Sequence, residues 1–548
     1  MRLPMRTRRV AAWLAVPVSM ALLATGCGQA QQGGQSQQDA TISVFTTEPE
    51  NPLVPGNTTE TGGGKVVDAL FTGLVGYDPE TAEPYNEVAE SIETTDSKVY
   101  TIKLERGWTF HDGTPVQADD FVDAWNYTAY SPNAQQSASF FAQIQGYADV
   151  HTEDPDGENG PQQAPQPAAK TMSGLRVVDD YTIEVTLAEP FAVFPTQLGY
   201  SAFSPLPDAF FTDQEAFEAN PIGNGGFRFE SRQPGVNITL SRYEDYAGER
   251  KPSVAGVEFR IYESDEAAYA DVVANNLDFL DTLPPSAVTD NLYRTDLENR
   301  SVSRPILQIQ TMTFPLYDPR YANPDLRRAL SMAIDREQLN EQIFNGTRPP
   351  ADGLVAPNIP GRGTDQCGEL CEFRPEEAKR LFDATGFTGP IELTSNVDAA
   401  GNEEWMTAAC NSIANALGRE CRFVPVTTFG QFREAINARQ MSAIYRSGWV
   451  ADYPSVENFL NPLYRTGASS NDGDYSSPSV DAKLAEADAA TSEDRANQLY
   501  QEAERMVIQD MPAIPVYFYE DQSGWSERLR NVTATPLGEL DLVSVRVG

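Results

Sequence analysis

Short runs in which every second residue is apolar recur along the chain. They are interleaved with stretches whose apolar residues fall three and four apart. Ile42 and Val44, alternating with polar partners from Thr41 onward, predict a first strand. Val99 to Leu104 places Tyr100, Ile102 and Leu104 on one face; Tyr181 to Leu187, and Val257 with Phe259 and Ile261, repeat that period. Phe227-Arg228-Phe229 and Val236 to Leu240 predict paired strands turning near Pro234-Gly235. The helical period takes over at 118–129, where Phe121, Ala124 and Trp125 share an inward face, and again near 265–275. Caps mark further helices: Asn323 ahead of Pro324, Asp335, Gly386 closing a helix over 375–384, and Thr491 with Asp494 opening one that runs to about Gln509. Ile514 to Tyr519 predicts a late strand. Strands and helices alternate with no repeat length, which predicts α/β lobes rather than a barrel or solenoid.

Two segments stand apart. Arg2, Arg6, Arg8 and Arg9 precede an apolar run from Ala11 to Leu23 that Pro17 interrupts; it is shorter than the ~20 residues a membrane span needs. Leu22-Leu23-Ala24-Thr25-Gly26-Cys27 follows and resembles a bacterial lipobox, with Ala24 where that pattern prefers a larger aliphatic residue. The resemblance implies a lipoprotein signal peptide over residues 1–26 and lipidation of Cys27. Two or more acyl chains there would hold the protein stably to a membrane. Ordinary secretory cleavage, with Cys27 a spare thiol, is the alternative. Residues 27–40 are rich in Gln and Gly and read as a flexible tether. The stretch around 153–170, rich in Pro, Gly, Gln and Ala, reads as a surface insertion.

Charge narrows the partners. The chain carries 79 acidic against 40 basic side chains, a formal net charge of −39, and a field of that sign repels nucleic acid and anionic lipid. The four cysteines beyond Cys27 are an even number in an exported chain, which points to two disulfides. Three pairings are possible; the local ones, Cys367–Cys371 and Cys410–Cys421, are favoured, with a zinc site as the alternative. Cys410 would lie on a helix and Cys421 at the start of the next strand. Enzyme signatures are scarce: there is no P-loop lysine motif, no dinucleotide-binding glycine fingerprint and no paired-histidine zinc motif. The two histidines, His111 in a strand-to-helix turn and His151 beside the insertion, give no nucleophile–base pair.

Seven segments in register carry a resemblance. They are Glu48-Pro49-Glu50-Asn51-Pro52-Leu53; ALFTGLVGYDP at 69–79; GWTFHDGTPVQADDFVDAW at 107–125; NPIGNGGF at 220–227; PDLRRALSMAIDR at 324–336; RSGWVADYPSVENFL at 446–460; and Tyr475-Ser476-Ser477-Pro478 with Val480-Asp481. Together they resemble the substrate-binding proteins of peptide/nickel-type ABC importers, solute-binding family 5, over residues 41–545. The resemblance implies an α/β, two-lobed, type II periplasmic-binding-protein fold of the Venus-flytrap kind, with an additional domain in the first half of the chain. Lobe I would comprise 41–66, 198–305 and 515–548, the extra domain 67–197, and lobe II 306–514, with the ligand between the lobes.

The same resemblance assigns roles. Main-chain groups of Gly448 and Val450 would pair with a peptide backbone by strand addition. Asp452 matches the acid that meets the α-ammonium, and Trp449 would wall a side-chain pocket. Arg446 would either pair structurally or meet ligand acids. Glu48 and Glu50 match strand-end positions facing the ligand from lobe I, and Phe429 stands where some relatives have a pocket tryptophan. Arg433 and Arg439 stay unassigned at the carboxylate end. The expected protein is a non-enzymatic receptor for short peptides that needs no cofactor or metal. It would be a monomer held on the extracytoplasmic face of the cell membrane by its lipid alone, serving an ABC permease and its ATPase. A non-peptide solute (nickel chelate, haem, oligosaccharide or opine), an exported hydrolase and a sensor without transport are the competing readings.

Overall fold

The computed structural model describes residues 40–152, 164–262, 264–288, 291–397, 401–468 and 470–548. The expected signal peptide, Cys27 and the tether up to residue 39 lie outside these residues, as does 153–163 of the expected insertion. No helix among the described residues is long and apolar enough to cross a membrane.

Ten strands share one sheet. Their order is Cys421–Val426, Ile391–Asn396, Ile444–Val450, Ser301–Thr313, Ala513–Trp525, Phe279–Leu280, Thr41–Thr46, Gly256–Ile261, Asn237–Arg242 and Phe227–Gln233. Two strands of 13 residues each, Ser301–Thr313 and Ala513–Trp525, run antiparallel at its middle and carry the chain from one lobe to the other. The apolar run that predicts a strand over Ile514–Tyr519 is only the first part of the second crossing strand. Glu520, Asp521 and Gln522 continue it by pairing with Pro305, Arg304 and Ser303. Their polarity hides the strand from a reading of alternation.

A separate antiparallel sheet orders Ala89–Thr94, Val99–Leu104, Thr182–Thr186 and Leu175–Asp179 and forms the additional domain. Tyr100, Ile102 and Leu104 are buried as their alternation requires. The helix Ala118–Ala129 buries Phe121, Ala124 and Trp125, and the Trp125 indole donates to the Phe203 carbonyl at 3.0 Å. Burying a side chain of this size stabilises by roughly 1.5–3 kcal/mol, and the indole N–H keeps a partner.

Caps behave as their chemistry demands. Asn323 Oδ1 accepts from the Asp325 amide at 3.0 Å, Asp335 Oδ1 from Gln338 at 2.9 Å, and Gly386 ends the helix Pro375–Thr385 with φ 66°. The last long helix, Glu493–Asp510, is capped by Ser492 rather than Thr491: the Ser492 hydroxyl accepts from the Arg495 amide at 3.3 Å. Two arginines of the PDLRRALSMAIDR segment are buried and form no ion pair among the described residues. Arg327 donates to the Met511 carbonyl at 3.0 Å and the Tyr321 carbonyl at 2.6 Å. Arg336 donates to the carbonyls of Pro515 at 2.8 Å and Cys371 at 2.9 Å, and burial pulls its pKa down to about 9. Arg336 thereby fastens a disulfide loop to a crossing strand.

The cysteines pair locally, Cys367 with Cys371 and Cys410 with Cys421, at Cα separations of 5.6 and 5.4 Å. The second bridge joins the helix Asn402–Leu417 to the first residue of the strand Cys421–Val426. Replacing Cys410 and Cys421 together by alanine should lower the free energy of unfolding by about 2–3 kcal/mol in chemical denaturation. A midpoint equal to the parent's would mean that packing alone holds the helix to its sheet.

Candidate functional site

The strand Ile444–Val450 is unequally covered. On one side it pairs along most of its length with a crossing strand, from Tyr445↔Thr313 to Val450↔Gln308. On the other, Ile391–Asn396 pairs only with Ile444 and Tyr445, so among the described residues no strand pairs with Arg446–Val450 there. The Ala451 amide donates to the Leu307 carbonyl at 2.9 Å. With the register, that bond makes Trp449 and Ser447 the hydrogen-bonded positions of the antiparallel pair. The main-chain N–H and C=O groups of Arg446, Gly448 and Val450 therefore point to the open side. Gly448 is required by the close approach of its neighbour, since a Cβ there would lie 2.8 Å from the Ile309 carbonyl oxygen.

Beside this edge lies a cavity of about 290 Å³. It brings together Arg446, Gly448, Trp449, Val450 and Phe429 from the sequence-based set and adds Gln310, Arg433, Leu463 and Asp472. Two of its apolar side chains are largely open: Phe429 is 49% exposed and Val450 56%. The Arg446 guanidinium sits 6.0 Å from the Phe429 ring and 5.9 Å from that of Phe432, within cation–π range. Its Nη2 donates to Asn396 Oδ1 at 3.2 Å, and its buried Nε has no hydrogen-bond partner among the described residues. Arg433 lines the cavity already paired with Asp472 at 2.7 Å, whereas Arg439 pairs with Asp474 at 2.8 Å and is not among the lining residues.

Asp452 lies just past the strand. Its amide donates to Asn458 Oδ1 at 3.0 Å, and its Oδ2 accepts from Asn458 Nδ2 at 3.0 Å. Burial pushes its carboxyl above the ordinary range, against the pull of the Asn458 amide. The other half of the chain comes near through Tyr200, whose hydroxyl is pushed up by burial and then by the charge of Asp452. The two halves also touch where Thr196 Oγ1 donates to Glu493 at 3.1 Å and the Ala192 amide to the Asp488 carbonyl at 2.8 Å.

Glu48 and Glu50 do not line the cavity. The Glu48 carboxylate pairs with Arg232 and accepts from the Gly235 amide at 2.6 Å, which fixes it to the hairpin Phe227–Arg242. Burial opposes its ionisation, but Arg232 and the Gly235 amide hold its pKa below the ordinary value. Glu50 is exposed, and its amide donates to Glu60 at 3.3 Å. Both histidines are bound to backbone. His111 Nδ1 accepts from the Gly223 amide at 3.1 Å, and burial pulls its pKa down to about 4; His151 Nδ1 lies 3.1 Å from the Ala129 carbonyl.

Sequence reasoning missed Gln310 and Asn458, each 1% exposed. The Gln310 amide donates to the Ser447 carbonyl and accepts from the Tyr519 hydroxyl at 2.7 Å, linking both crossing strands to the open-edged one. An uncharged polar residue in an apolar stretch was the available signal, but its partners are remote in sequence.

A two-lobed α/β fold with an open-edged strand beside a cavity defines a binding protein of the flytrap class. The family model "Bacterial extracellular solute-binding proteins, family 5 Middle" matches residues 83–471, and the chain belongs to that family. It is similar to the periplasmic oligopeptide-binding protein OppA of Escherichia coli K12, with 27% identity over 461 residues and 82% of each chain. It is also similar to the oligopeptide-binding protein OppA of Bacillus subtilis 168, with 23% identity over 547 residues, 95% of this chain and 96% of that one. Among solved structures, the unliganded open form of the periplasmic murein tripeptide binding protein MppA matches with a TM-score of 0.78 and 22% identity, covering 92% of this chain and 97% of that one.

Several buried carboxyls shift the same way as Asp452. Burial pushes Glu457, Glu504 and Asp120 each up to about 7. In the unfolded chain such groups lose their protons near pH ~4. Between those limits the folded state holds more protons, so stability falls as pH rises. His111 works in the opposite sense, as one group against several. The unliganded protein should therefore melt at a higher temperature at pH 5 than at pH 8. A midpoint that rises across that interval would show that these carboxyls are not held neutral.

Proposed function

We propose that this protein is the extracytoplasmic receptor of an ABC importer and that it binds short peptides between its lobes. The observation that carries the reading is the open edge of Arg446–Val450, with the cavity beside it and a buried carboxyl, Asp452, just beyond its end. A peptide has one N–H and one C=O per residue and needs partners for both when it leaves water. An added strand supplies them at a fixed repeat, whatever the side chains, through Gly448 and Val450. Asp452 takes the α-ammonium, and the charge that burial disfavours is restored by the arriving cation. Trp449 and Phe429 wall a side-chain pocket, and Arg446 is available to ligand acids. The relatives named for oligopeptide binding support the same ligand class.

On this reading the protein stays at the membrane through lipid on Cys27, acts as a monomer and hands its ligand to the permease and its ATPase. The lobes divide near residues 305 and 514, with 67–197 as the additional domain.

Mass spectrometry of ligands released from purified, denatured protein should yield peptides of mixed sequence and narrow length. A single non-peptide species would reject the proposal. Asp452→Asn should weaken binding of free-amino peptides by more than about tenfold, because desolvated interfacial charge pairs couple by ~1.5–7 kcal/mol. Its melting temperature at neutral pH should be no lower than the parent's. Equal affinity of parent and variant would remove the ammonium role.

A further inference from the structure

We propose that Asn458 is the positioning residue of the cleft, its one carboxamide setting both the Asp452 carboxylate and the Trp449 indole for the amino end of the ligand. The proposal rests on the peptide reading above.

Asn458 lies on the short turn Glu457–Phe459, and at 1% exposure its amide must spend its hydrogen bonds inside the protein. Three go to the site. Oδ1 accepts from Trp449 Nε1 and from the Asp452 amide, each at 3.0 Å, and Nδ2 donates to Asp452 Oδ2 at 3.0 Å. Trp449 is on the open-edged strand and Asp452 follows it, so one planar group fixes their relative placement. Two N–H groups need an acceptor and a carboxylate needs a donor. At this side-chain length a carboxamide offers both at any pH, and a carboxyl only when it is protonated.

The surroundings of Asp452 make that donor matter. Among the described residues Asp452 forms no ion pair, and Oδ2 is the carboxylate oxygen that the amide engages. Oδ1 is left to a ligand. The titratable groups facing it are Tyr200 from the other half of the chain and Tyr453 beside it, and the Tyr453 hydroxyl donates to Glu457 at 2.6 Å. Both phenols are held neutral by burial, and burial also pushes the Glu457 carboxyl up to about 7. Among the described residues no cation offsets the buried acid, so the Asn458 amide, ahead of the backbone amide of Asp452 itself, is the side chain that favours its ionised form, the form an ammonium requires.

Asn458→Asp separates positioning from packing. It keeps the shape and the acceptors for the indole and the amide, but it sets a second carboxylate against Asp452. One of the two then titrates at raised pH. The probe is a synthetic library of tri- to pentapeptides, free or N-acetylated, with retention measured by mass spectrometry from pH 5 to pH 8. For free-amino peptides the half-retention pH of Asn458→Asp should rise by at least about one unit over the parent. Acetylated peptides should show no such shift. Asn458→Ser, which removes the amide but keeps a small polar side chain, should shift the midpoint the same way and serves if the aspartate variant does not fold. Loss by one factor at every pH, for free and acetylated peptides alike, would overturn the role and leave the peptide reading standing. A parent that retains both sets equally would overturn this proposal and the ammonium role of Asp452, and one that retains neither would overturn the peptide reading and this proposal with it.

Discussion

A β-strand paired on one side only keeps a row of N–H and C=O groups that must find partners in water or in something that binds. Arg446–Val450 is such a row, bordering a cavity in a lobed molecule. Its neighbours fit that placement. The pairing with Ile391–Asn396 stops at Tyr445, Gly448 lets the adjoining strand approach, and the Gln310 amide takes up the Ser447 carbonyl. The crossing strands then hold the covered side of the row rigidly against the centre of the sheet.

Elements that bury one face were legible in the sequence. Thr41–Thr46, Val99–Leu104, Gly256–Ile261 and Ala118–Ala129 all form where periodicity places them. The crossing strands were legible only in part, because their pairing is long-range and their ends are polar. Pro305 also breaks any alternation in Ser301–Thr313. The site follows the same division. Arg446, Gly448, Trp449 and Val450 fall within one five-residue segment that the family resemblance marked, so they were named together. Glu48 is drawn to Arg232, 184 positions away, and no local pattern announces that partner. Asn458 and Gln310 were passed over because an uncharged amide has no signature until its partners are known.

Acids outnumber bases about two to one, yet the deepest cations do not depend on them. Arg327 and Arg336 are stabilised by main-chain carbonyls: that of Met511 just past a helix end, where the oxygen lacks a helical partner, and those of Pro515 on a crossing strand and Cys371 in the disulfide loop. Buried carboxylates either pair with a cation, as Asp278 does with Arg528 at 2.8 Å, or sit in pockets such as that of Asp452, where burial disfavours their charge. A buried acid of the second kind is poorly suited to structural pairing and well suited to meeting a cation that comes and goes.

The register break in the crossing ladder concerns length. Between Pro305↔Glu520 and Ile309↔Phe518, three residues of one strand, Ile306 to Gln308, stand opposite Tyr519 alone. Leu307 leaves the ladder there and bonds instead to the Pro536 carbonyl through its amide and to the Ala451 amide through its carbonyl. The surplus there is two residues, an even number, so Ile309 resumes the phase that Pro305 left. One pair further on the sense reverses: Val516 alone stands unopposed between Gln310↔Tyr517 and Thr311↔Pro515, so the opposite strand gives back part of the excess and the ladder ends only one residue out of its starting register.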